Sequence, residues 1–244
     1  MPATPAWPPK SLPRLFVRTA LGEGGRVELE PAQANYFGNV LRLGEGAEVL
    51  LFDGVSGEWL ARIAEAGKKR MALSVERRTR EAERVPDVWL AFAPVKRAQT
   101  DWLVEKATEL GAAKLLPVIT QRTIVERVKL ERLEVIAIEA AEQCGRTVLP
   151  EIAEPVALVA FLKGNERTLY FADESGGEAA ATAFKPGAAT ILIGPEGGFT
   201  PDERAAIRAA PKAVAISLGP RILRAETAAL AALAAYMALA GDWR

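Results

Sequence analysis

The chain has 244 residues, half of them hydrophobic, with 31 basic and 31 acidic side chains and therefore no formal net charge. A chain of this length can bury about 70% of its unfolded surface, so it folds without disulfides or structural metals. Its single cysteine, Cys144, excludes an intramolecular disulfide and favours a reducing compartment. It has no histidine, which removes the commonest metal ligand and general base, and no metal site is expected. A neutral chain must contact any polyanion through a local patch.

Residues 1–13 carry prolines at positions 2, 5, 8, 9 and 13 and lack the apolar core of a signal peptide. We interpret them as a flexible, proline-rich tail. With no export signal and one cysteine, the protein is expected in the cytoplasm.

Residues 14–84 contain short runs rich in β-branched and aromatic residues, separated by glycines. The runs at 15–17, 49–52, 59–63 and 71–75 are predicted strands, and the pattern is typical of a small β-barrel. Residues 31–43 have apolar residues at helical spacing and predict one helical insert.

A basic run ends this first region, interrupted only by three glutamates. Its cations are Lys68, Lys69, Arg70, Arg77, Arg78, Arg80 and Arg84. The run alone favours a solvated hairpin edge protected from aggregation by charge, and a nucleic-acid contact is the alternative. The pattern alone leaves both interpretations open.

From residue 85 to 244 the pattern alternates between strand and helix, which predicts an α/β domain with a parallel sheet and helices on both faces. The predicted strands are 88–93, 115–119, 168–172, 190–193 and 213–218, and the clearest predicted helices are 100–110, stopped by Gly111, and 130–144.

A run of thirteen apolar residues at 228–240 is too short to span a bilayer and is typical of a buried helix. Because this helix is apolar on all sides, its outer face must be covered. A subunit interface and internal packing both remain possible.

Two glycine-bearing segments, 193–199 and 218–224, each follow a predicted strand and each lead into a predicted helix. Both strands should end at the carboxyl edge of the parallel sheet, where such folds bind nucleotides and cofactors. The first segment, GPEGGFT, lacks the Lys and Ser/Thr of a P-loop and the spacing of a dinucleotide fingerprint. A capped helix start is predicted by Thr200, Pro201 and Glu203, so side chains already satisfy the backbone donors there. We therefore interpret the glycines as leaving the backbone accessible to a ligand. A tight turn without a ligand is the alternative.

The second segment places Arg221 and Arg224 among aliphatic side chains. Aliphatic surface with free backbone amides suits an adenine ring, and guanidinium groups suit an anionic partner. Two surface arginines whose stems cover apolar neighbours are the alternative.

These motifs resemble those of a known family. IGPEGGFTPDE at 193–203, SLGPRILRAETAAL at 217–230, EAAEQCGR at 139–146 and EKATELG at 105–111 are similar to the RsmE family of ribosomal RNA small subunit methyltransferases, within the SPOUT superfamily. PRLFV at 13–17 and NVLRLGEGAEVLLFDG at 39–54 extend the resemblance over nearly the whole chain. Family members often carry histidine near Asn35, which this chain lacks.

The resemblance implies a PUA-like RNA-binding barrel at 14–84, followed at 85–244 by a SPOUT methyltransferase domain with a trefoil knot, and a homodimer. It implies S-adenosylmethionine as the cofactor and N3 of a uridine in 16S rRNA of the small ribosomal subunit as the methylated atom. By motif match, the cofactor-binding residues are Ile193, Gly194, Glu196, Gly198, Leu218, Gly219, Ile222, Leu223 and Thr227.

On this interpretation Arg224, assisted by Arg221, stabilises the uridine anion that forms when N3 loses its proton. Glu196 is the third candidate catalytic residue, and the base could be Glu196, Glu142 or a solvent molecule. The candidate phosphate contacts are Arg14, Arg42, Lys68, Lys69 and Arg70, and Gln143 and Arg146 are candidates for contacts near the reactive base.

Two other functions share parts of this pattern. A related SPOUT enzyme could act on transfer RNA or on a ribose hydroxyl, and a non-catalytic relative could bind RNA without the cofactor.

Overall fold

The computed structural model describes residues 12–67, 70–125 and 127–243. They pack as two compact units. The first unit comprises the described residues up to Glu83 together with Glu142–Val148, and the second comprises Arg84–Ala141 and the described residues from Leu149 onward. The chain therefore returns to the first unit for seven residues after the second has begun.

The first unit is built on a five-stranded sheet in the order β1-β3-β4-β5-β2, in which β1 pairs parallel to β3 and the other pairs are antiparallel. The strands are β1 (Arg14–Phe16), β2 (Arg26–Glu28), β3 (Glu48–Phe52), β4 (Glu58–Ala66) and β5 (Met71–Arg80). The β4–β5 pair contains three register shifts, irregularities of the kind that increase the twist of a strand pair.

The predicted strands of this unit are confirmed, and the two last ones are longer than predicted. β5 continues to Arg80, beyond the predicted end at residue 75. The residues after 75 are mostly charged and none is buried, so the apolar alternation that predicts a strand stops before the strand ends. β2 was not predicted, since Val27 is its only buried residue. Sequence patterns detect strands through buried positions, and one position gives no period.

The predicted helical insert is shorter than 31–43. It consists of α1 (Pro31–Asn35) and a π-helical turn at Tyr36–Val40. Phe37 is fully buried against the sheet, whereas Tyr36 and Val40 are exposed. Arg42, two residues after this turn, has a left-handed backbone with φ of 56°, which is uncommon outside glycine and ends the helical segment.

A buried carboxylate, Glu58, joins two arginines within the first unit. Its Oε2 accepts from Arg14 Nε at 2.8 Å and from Arg80 Nη2 at 2.7 Å. The same arginines donate to main-chain carbonyls of the returning segment: Arg14 to Glu142 and Arg146, and Arg80 to Gly145. Burial, the largest single influence, raises the pKa of Glu58, but the hydrogen bonds and charges of Arg80 and Arg14 together lower it below its ordinary value.

The second unit contains an all-parallel sheet in the order β11-β13-β10-β12-β6-β7-β8, with β9 paired to β7 beside this path. Its strands are β6 (Val88–Phe92), β7 (Lys114–Ile119), β8 (Glu151–Ile152), β9 (Val156–Ala157), β10 (Thr168–Ala172), β11 (Glu178–Ala179), β12 (Ala189–Ile193) and β13 (Ala213–Ser217). The predicted parallel sheet is confirmed.

Helices cover both faces of this sheet, as predicted. They are α2 (Arg97–Glu109), α3 (Leu130–Cys144), α4 (Leu158–Gly164), α5 (Ala180–Ala183), α6 (Pro201–Ala209) and α7 (Ala225–Leu239). Alternate residues of one strand enter opposite cores: Ile191 of β12 packs with residues of α2 and α7, and Leu192 packs with residues of α4 and α6. Burial on both faces explains why these strands are almost wholly apolar.

The helix predicted at 130–144 has the predicted limits. The predicted stop at Gly111 is also observed, since α2 ends at Glu109 and Gly111 has φ of 90°. α2 begins three residues earlier than predicted, at Arg97, since its first turn is polar and gives no apolar period. β8, β9 and β11 have two residues each, too few for a pattern. The trefoil knot implied by the resemblance stays a prediction.

α7 contains most of the apolar run at 228–240. Ala229, Leu233 and Met237 are fully buried in the core, whereas Leu230 is half-buried and Leu239 is exposed. Internal packing thus covers one side of the helix, and a subunit interface on the other side stays a prediction. No described helix combines the length and the apolar character needed to cross a membrane.

We expect Glu58→Gln to lower the free energy of unfolding at neutral pH by about 3 kcal/mol, because it removes the buried negative charge that Arg14 and Arg80 share. The folded-state pKa of Glu58 is lowered, so its contribution is complete above the ordinary value of 4.5 and disappears as the pH falls through the lower folded value. Denaturant titrations at several pH values measure both effects, and the variant should lose this part of the acid dependence.

Glu76→Gln is the matched control. Glu76 accepts from Arg62 Nε at 2.8 Å, and both side chains are substantially exposed. This change should cost less than about 1 kcal/mol. Equal losses in the two variants would contradict a special role for the buried carboxylate.

Candidate functional site

The carboxyl ends of the central parallel strands lie along one edge of the second unit's sheet. Ile193 of β12 pairs in register with Phe92 of β6, and Ala172 of β10 pairs with Ile216 of β13. β10 lies between β12 and β13, so the loops at 194–200 and 218–224 lie on either side of the loop that follows β10. The prediction that both glycine-bearing segments share one edge is confirmed.

Two glycines of the first loop are required by the loop's own packing. A Cβ at Gly194 would lie 3.0 Å from the ring of Phe199, which is buried. Gly198 has φ of 66°, a left-handed conformation that disfavours a side chain, and donates to the Pro195 carbonyl at 2.8 Å. The interpretation that these glycines leave the backbone accessible to a ligand stays a prediction, since packing at Gly194 and the positive φ at Gly198 already favour glycine.

The predicted start of the following helix is confirmed. Thr200 Oγ1 accepts from the Glu203 amide at 3.3 Å, and Glu203 Oε2 accepts from the Thr200 amide at 2.9 Å. Glu203 Oε1 also accepts from the Gln121 amide at 2.7 Å, and Arg122 donates to the Gly197 carbonyl. The loop after β7 is thus fixed to the first glycine loop, an attachment that the sequence did not predict.

Asp173, directly after β10, is the most buried carboxylate between the two loops. Its side chain accepts from Ser175 at 2.7 Å and from Arg208 at 2.6 Å, and Arg204 Nε lies 3.4 Å away. Burial, the largest single influence, raises the pKa of Asp173, but the hydrogen bonds from Ser175 and Arg208 and the charge of Arg204 together lower it. The carboxylate is thereby ionised and fully occupied in holding α6 against β10.

The second loop presents its cations and one aliphatic side chain to solvent. Gly219 has φ of 108°, which only glycine adopts readily, and Ile222 is 85% exposed. Arg221 and Arg224 are exposed, and within the described part of the chain neither guanidinium pairs with a carboxylate. Leu218 and Leu223 are half-buried against the core. The loop therefore combines two available cations with accessible apolar surface.

α7 begins directly after this loop, with Arg224 as its N-cap residue in an extended conformation. Thr227, in the first turn, is exposed, as is Glu196 of the first loop. Glu226 is only 8% exposed, and its Oε2 has no hydrogen-bond partner among the described residues. Buried acceptors are normally satisfied, so this oxygen is suited to a donor supplied from outside the chain. Sequence patterns could not reveal it, since Glu226 has the appearance of an ordinary helix-start acid.

The candidate RNA-contact residues lie in the first unit and differ in exposure. Arg42, Arg70 and Gln143 are exposed. Lys68 and Lys69 lie outside the described residues.

Arg14, by contrast, has a side chain only 9% exposed, engaged by Glu58 and by two main-chain carbonyls, and Arg146 is buried. Glu142, a candidate base, accepts from the Phe16 amide at 2.9 Å. These three residues have structural partners within the first unit, and their roles toward RNA stay predictions.

Two family models match the chain. A model described as an RNA methyltransferase domain matches residues 81–237, and one described as an RNA methyltransferase PUA domain matches residues 29–76. The ribosomal RNA small subunit methyltransferase E of Rickettsia conorii is 33% identical over 227 residues, which are 91% of this chain and 93% of that protein. The chain belongs to the ribosomal RNA small subunit methyltransferase E family. The expected PUA-like first domain and methyltransferase second domain are thereby confirmed.

Solved structures agree with membership of the methyltransferase E family. The ribosomal RNA small subunit methyltransferase E of Neisseria gonorrhoeae, bound to S-adenosylmethionine, has a TM-score of 0.87 and 31% identity over 96% of this chain and all of that one. A methyltransferase of Legionella pneumophila in complex with S-adenosylmethionine has a TM-score of 0.89 and 30% identity with the same coverage.

We expect Gly194→Ala to lower the free energy of unfolding by about 2 kcal/mol, because the added Cβ meets the buried Phe199 ring from a backbone that cannot easily move. Gly164→Ala is the matched control, since a Cβ there meets nothing within 4 Å. Thermal and denaturant unfolding measure the difference. Phe199→Leu should relieve part of the cost in the Gly194→Ala background, and a purely additive double variant would contradict the contact.

Proposed function

We propose that this protein transfers the methyl group of S-adenosylmethionine to N3 of a uridine in 16S rRNA of the small ribosomal subunit. Membership of the methyltransferase E family supports the reaction class. The observation that carries the site assignment is the pair of available guanidinium groups, Arg221 and Arg224, on the loop beside Ile222 at the carboxyl edge of the sheet. Cations without carboxylate partners are suited to a negative charge that exists only during the reaction.

The residues at this edge fit the cofactor. The exposed Ile222 and half-buried Leu218 and Leu223 offer apolar surface for an adenine ring. Oε2 of Glu226, which has no hydrogen-bond partner among the described residues, matches a cofactor that carries an ammonium and an amino group as donors. The predicted cofactor residues of the first loop, from Ile193 to Gly198, end on the same edge. When bound, the cofactor supplies a methyl group made electrophilic by a sulfonium.

The acceptor needs activation because N3 of uridine carries a proton at neutral pH. When that proton leaves, negative charge spreads onto O2 and O4, and the lone pair on N3 becomes nucleophilic. Arg224, with Arg221 assisting, stabilises this charge through donors that stand ready before the reaction. Holding both reactants in one orientation lowers the barrier further.

Three candidates remain for the base. Glu196 is exposed on the first loop, within reach of solvent. The Glu142 carboxylate accepts from the Phe16 amide, so a base role there would require that hydrogen bond to weaken. A deprotonated solvent molecule would need no carboxylate at all.

RNA contacts complete the proposal. Arg42 and Arg70 are exposed and suited to phosphates, and Gln143 is exposed and suited to a base edge. The predicted homodimer, the contacts of Lys68 and Lys69, and the cytoplasmic location belong to the same proposal.

Primer extension on small-subunit rRNA tests the reaction. Methylation at N3 blocks the pairing edge, so reverse transcriptase should stop at one uridine in rRNA from cells with the protein and read through in cells lacking it. Re-expression of the wild-type chain should restore the stop. An unchanged stop in the deletion strain would remove the proposed activity.

We expect Arg224→Ala to lower kcat by about 100-fold, on the scale of losing one donor to a developing oxyanion. The cofactor's Kd, measured by calorimetry, should change little, because the guanidinium acts on the base and not on the donor. Lys163→Ala, which removes an exposed cation at the end of α4, serves as the control and should keep full activity. Full turnover by Arg224→Ala would overturn the assignment.

A further inference from the structure

A concave site lies in the second unit, and no residue of the two glycine loops is among its described lining residues. A cavity of about 150 Å³ opens between the end of β6, the first turn of α2, Val125, residues 127–129 and the start of α3. β6 is the neighbour of β12 in the sheet, and both strands end at the same edge. The cavity is therefore at the carboxyl edge, and none of its described lining residues is among the predicted cofactor residues.

The inner wall of the cavity is apolar. Pro94, Val95 and Leu133 are buried, and Val125 and Val128 are half-buried. An apolar cavity of about 150 Å³ is large enough for one six-membered ring, and it is smaller than the roughly 300 Å³ of pockets for drug-sized ligands. The volume thus suits a single pyrimidine base and excludes a whole dinucleotide.

The rim of the cavity is cationic. Among the described lining residues, four are basic (Arg97, Arg127, Lys129 and Arg132) and one is acidic, Asp101. The acid is already occupied, since Arg132 donates to both of its oxygens at 2.9 and 2.6 Å. Arg97 Nε lies 3.9 Å from Asp101 Oδ2, and the Arg97 side chain is 74% exposed. Arg127 and Lys129 are also exposed. Three exposed cations thus surround the opening of a cavity that has the volume of one six-membered ring.

The start of α2 adds to this positive field. Its N-cap residue, Lys96, provides no side-chain acceptor, and its first turn contains no acid. The N-terminus of α6 differs, because Thr200 and Glu203 cap it. An uncompensated helix start that carries basic residues favours an anion nearby.

We propose that this cavity takes up one unstacked pyrimidine of the RNA substrate, and that Arg97, Arg127 and Lys129 neutralise the phosphates on either side of it. The inference rests on the proposed function, since it assumes an RNA substrate. Sequence-selective RNA recognition commonly takes a base out of its stack and holds it against protein side chains, with the flanking backbone held by cations. A free anion would use the rim without the apolar hole, and a lipid or peptide would need a longer groove.

Photo-crosslinking tests occupancy of the cavity. 4-Thiouridine, which has a single pyrimidine ring, is placed in turn at each pyrimidine around the methylated uridine in an rRNA fragment, and mass spectrometry locates the crosslinked peptide. At least one position should crosslink to residues 94–95 or 125–133. Crosslinks confined to other peptides would overturn the proposal.

Variants test the energetic role. Val128→Trp fills the cavity and should raise KM for RNA by at least about 10-fold, while the cofactor's Kd by calorimetry stays unchanged. Arg127→Glu and Lys129→Glu should weaken RNA binding and flatten its log–log salt dependence by about 0.7 for each phosphate that the protein no longer neutralises. Lys163→Glu makes the same charge change at the opposite edge of the sheet and should leave binding unchanged.

The outcomes separate the two proposals. If the wild type methylates N3 and the folded Val128→Trp variant has the same KM for RNA, the cavity proposal is wrong and the proposed function stands. If the wild type transfers no methyl to uridine but the cavity still crosslinks, the proposed reaction is wrong and the cavity remains an RNA site. Should Val128→Trp not fold, the two charge reversals and the crosslinks decide.

Discussion

Parallel strand direction is the constraint on which the second unit depends. Every strand of its sheet runs the same way, so each chain segment that leaves a strand at its carboxyl end arrives at one edge. Segments more than a hundred residues apart in the sequence, such as the start of α2 and the loop at 218–224, lie along the same edge for that reason. No individual contact needs to bring them together, and the loops are free to differ in chemistry while the sheet stays constant.

Charge is distributed unevenly along this edge. The acids are committed to structure: Asp173 holds two arginines of α6, Asp101 holds Arg132, and Glu203 caps a helix. The cations of the loop at 218–224 are left unpaired by the described residues. Opposite charges thus serve opposite purposes, because satisfied carboxylates position the loops and unsatisfied guanidinium groups remain ready for a ligand. Two acids differ: Glu196 is exposed on the first loop, and the buried Glu226 has a second oxygen without a hydrogen-bond partner among the described residues.

Local pattern predicted much of this fold. The helix at 130–144, the strand at 168–172 and the capping box at Thr200 each depend on neighbours within a few residues, and each is as predicted. What the sequence did not reveal depends on partners far along the chain. The ion pair of Glu58 with Arg14 joins positions 44 residues apart, and the attachment of Gln121 to Glu203 spans 82. The cavity beside α2 was missed because its apolar wall and its cations come from separate segments, none of them distinctive alone.

The seven residues from Glu142 to Val148 belong to the first unit, although the methyltransferase family model matches them as part of the second domain. Because Arg14 and Arg80 donate to main-chain carbonyls of this segment, the N-terminal unit is completed by residues that lie well inside the stretch of chain encoding the other one. A gene fragment that ends near residue 84 would encode a protein in which Arg14 and Arg80 lack these carbonyl acceptors. Evolutionary shuffling of the PUA-like unit as a contiguous cassette is therefore disfavoured, and the two units are expected to be inherited together.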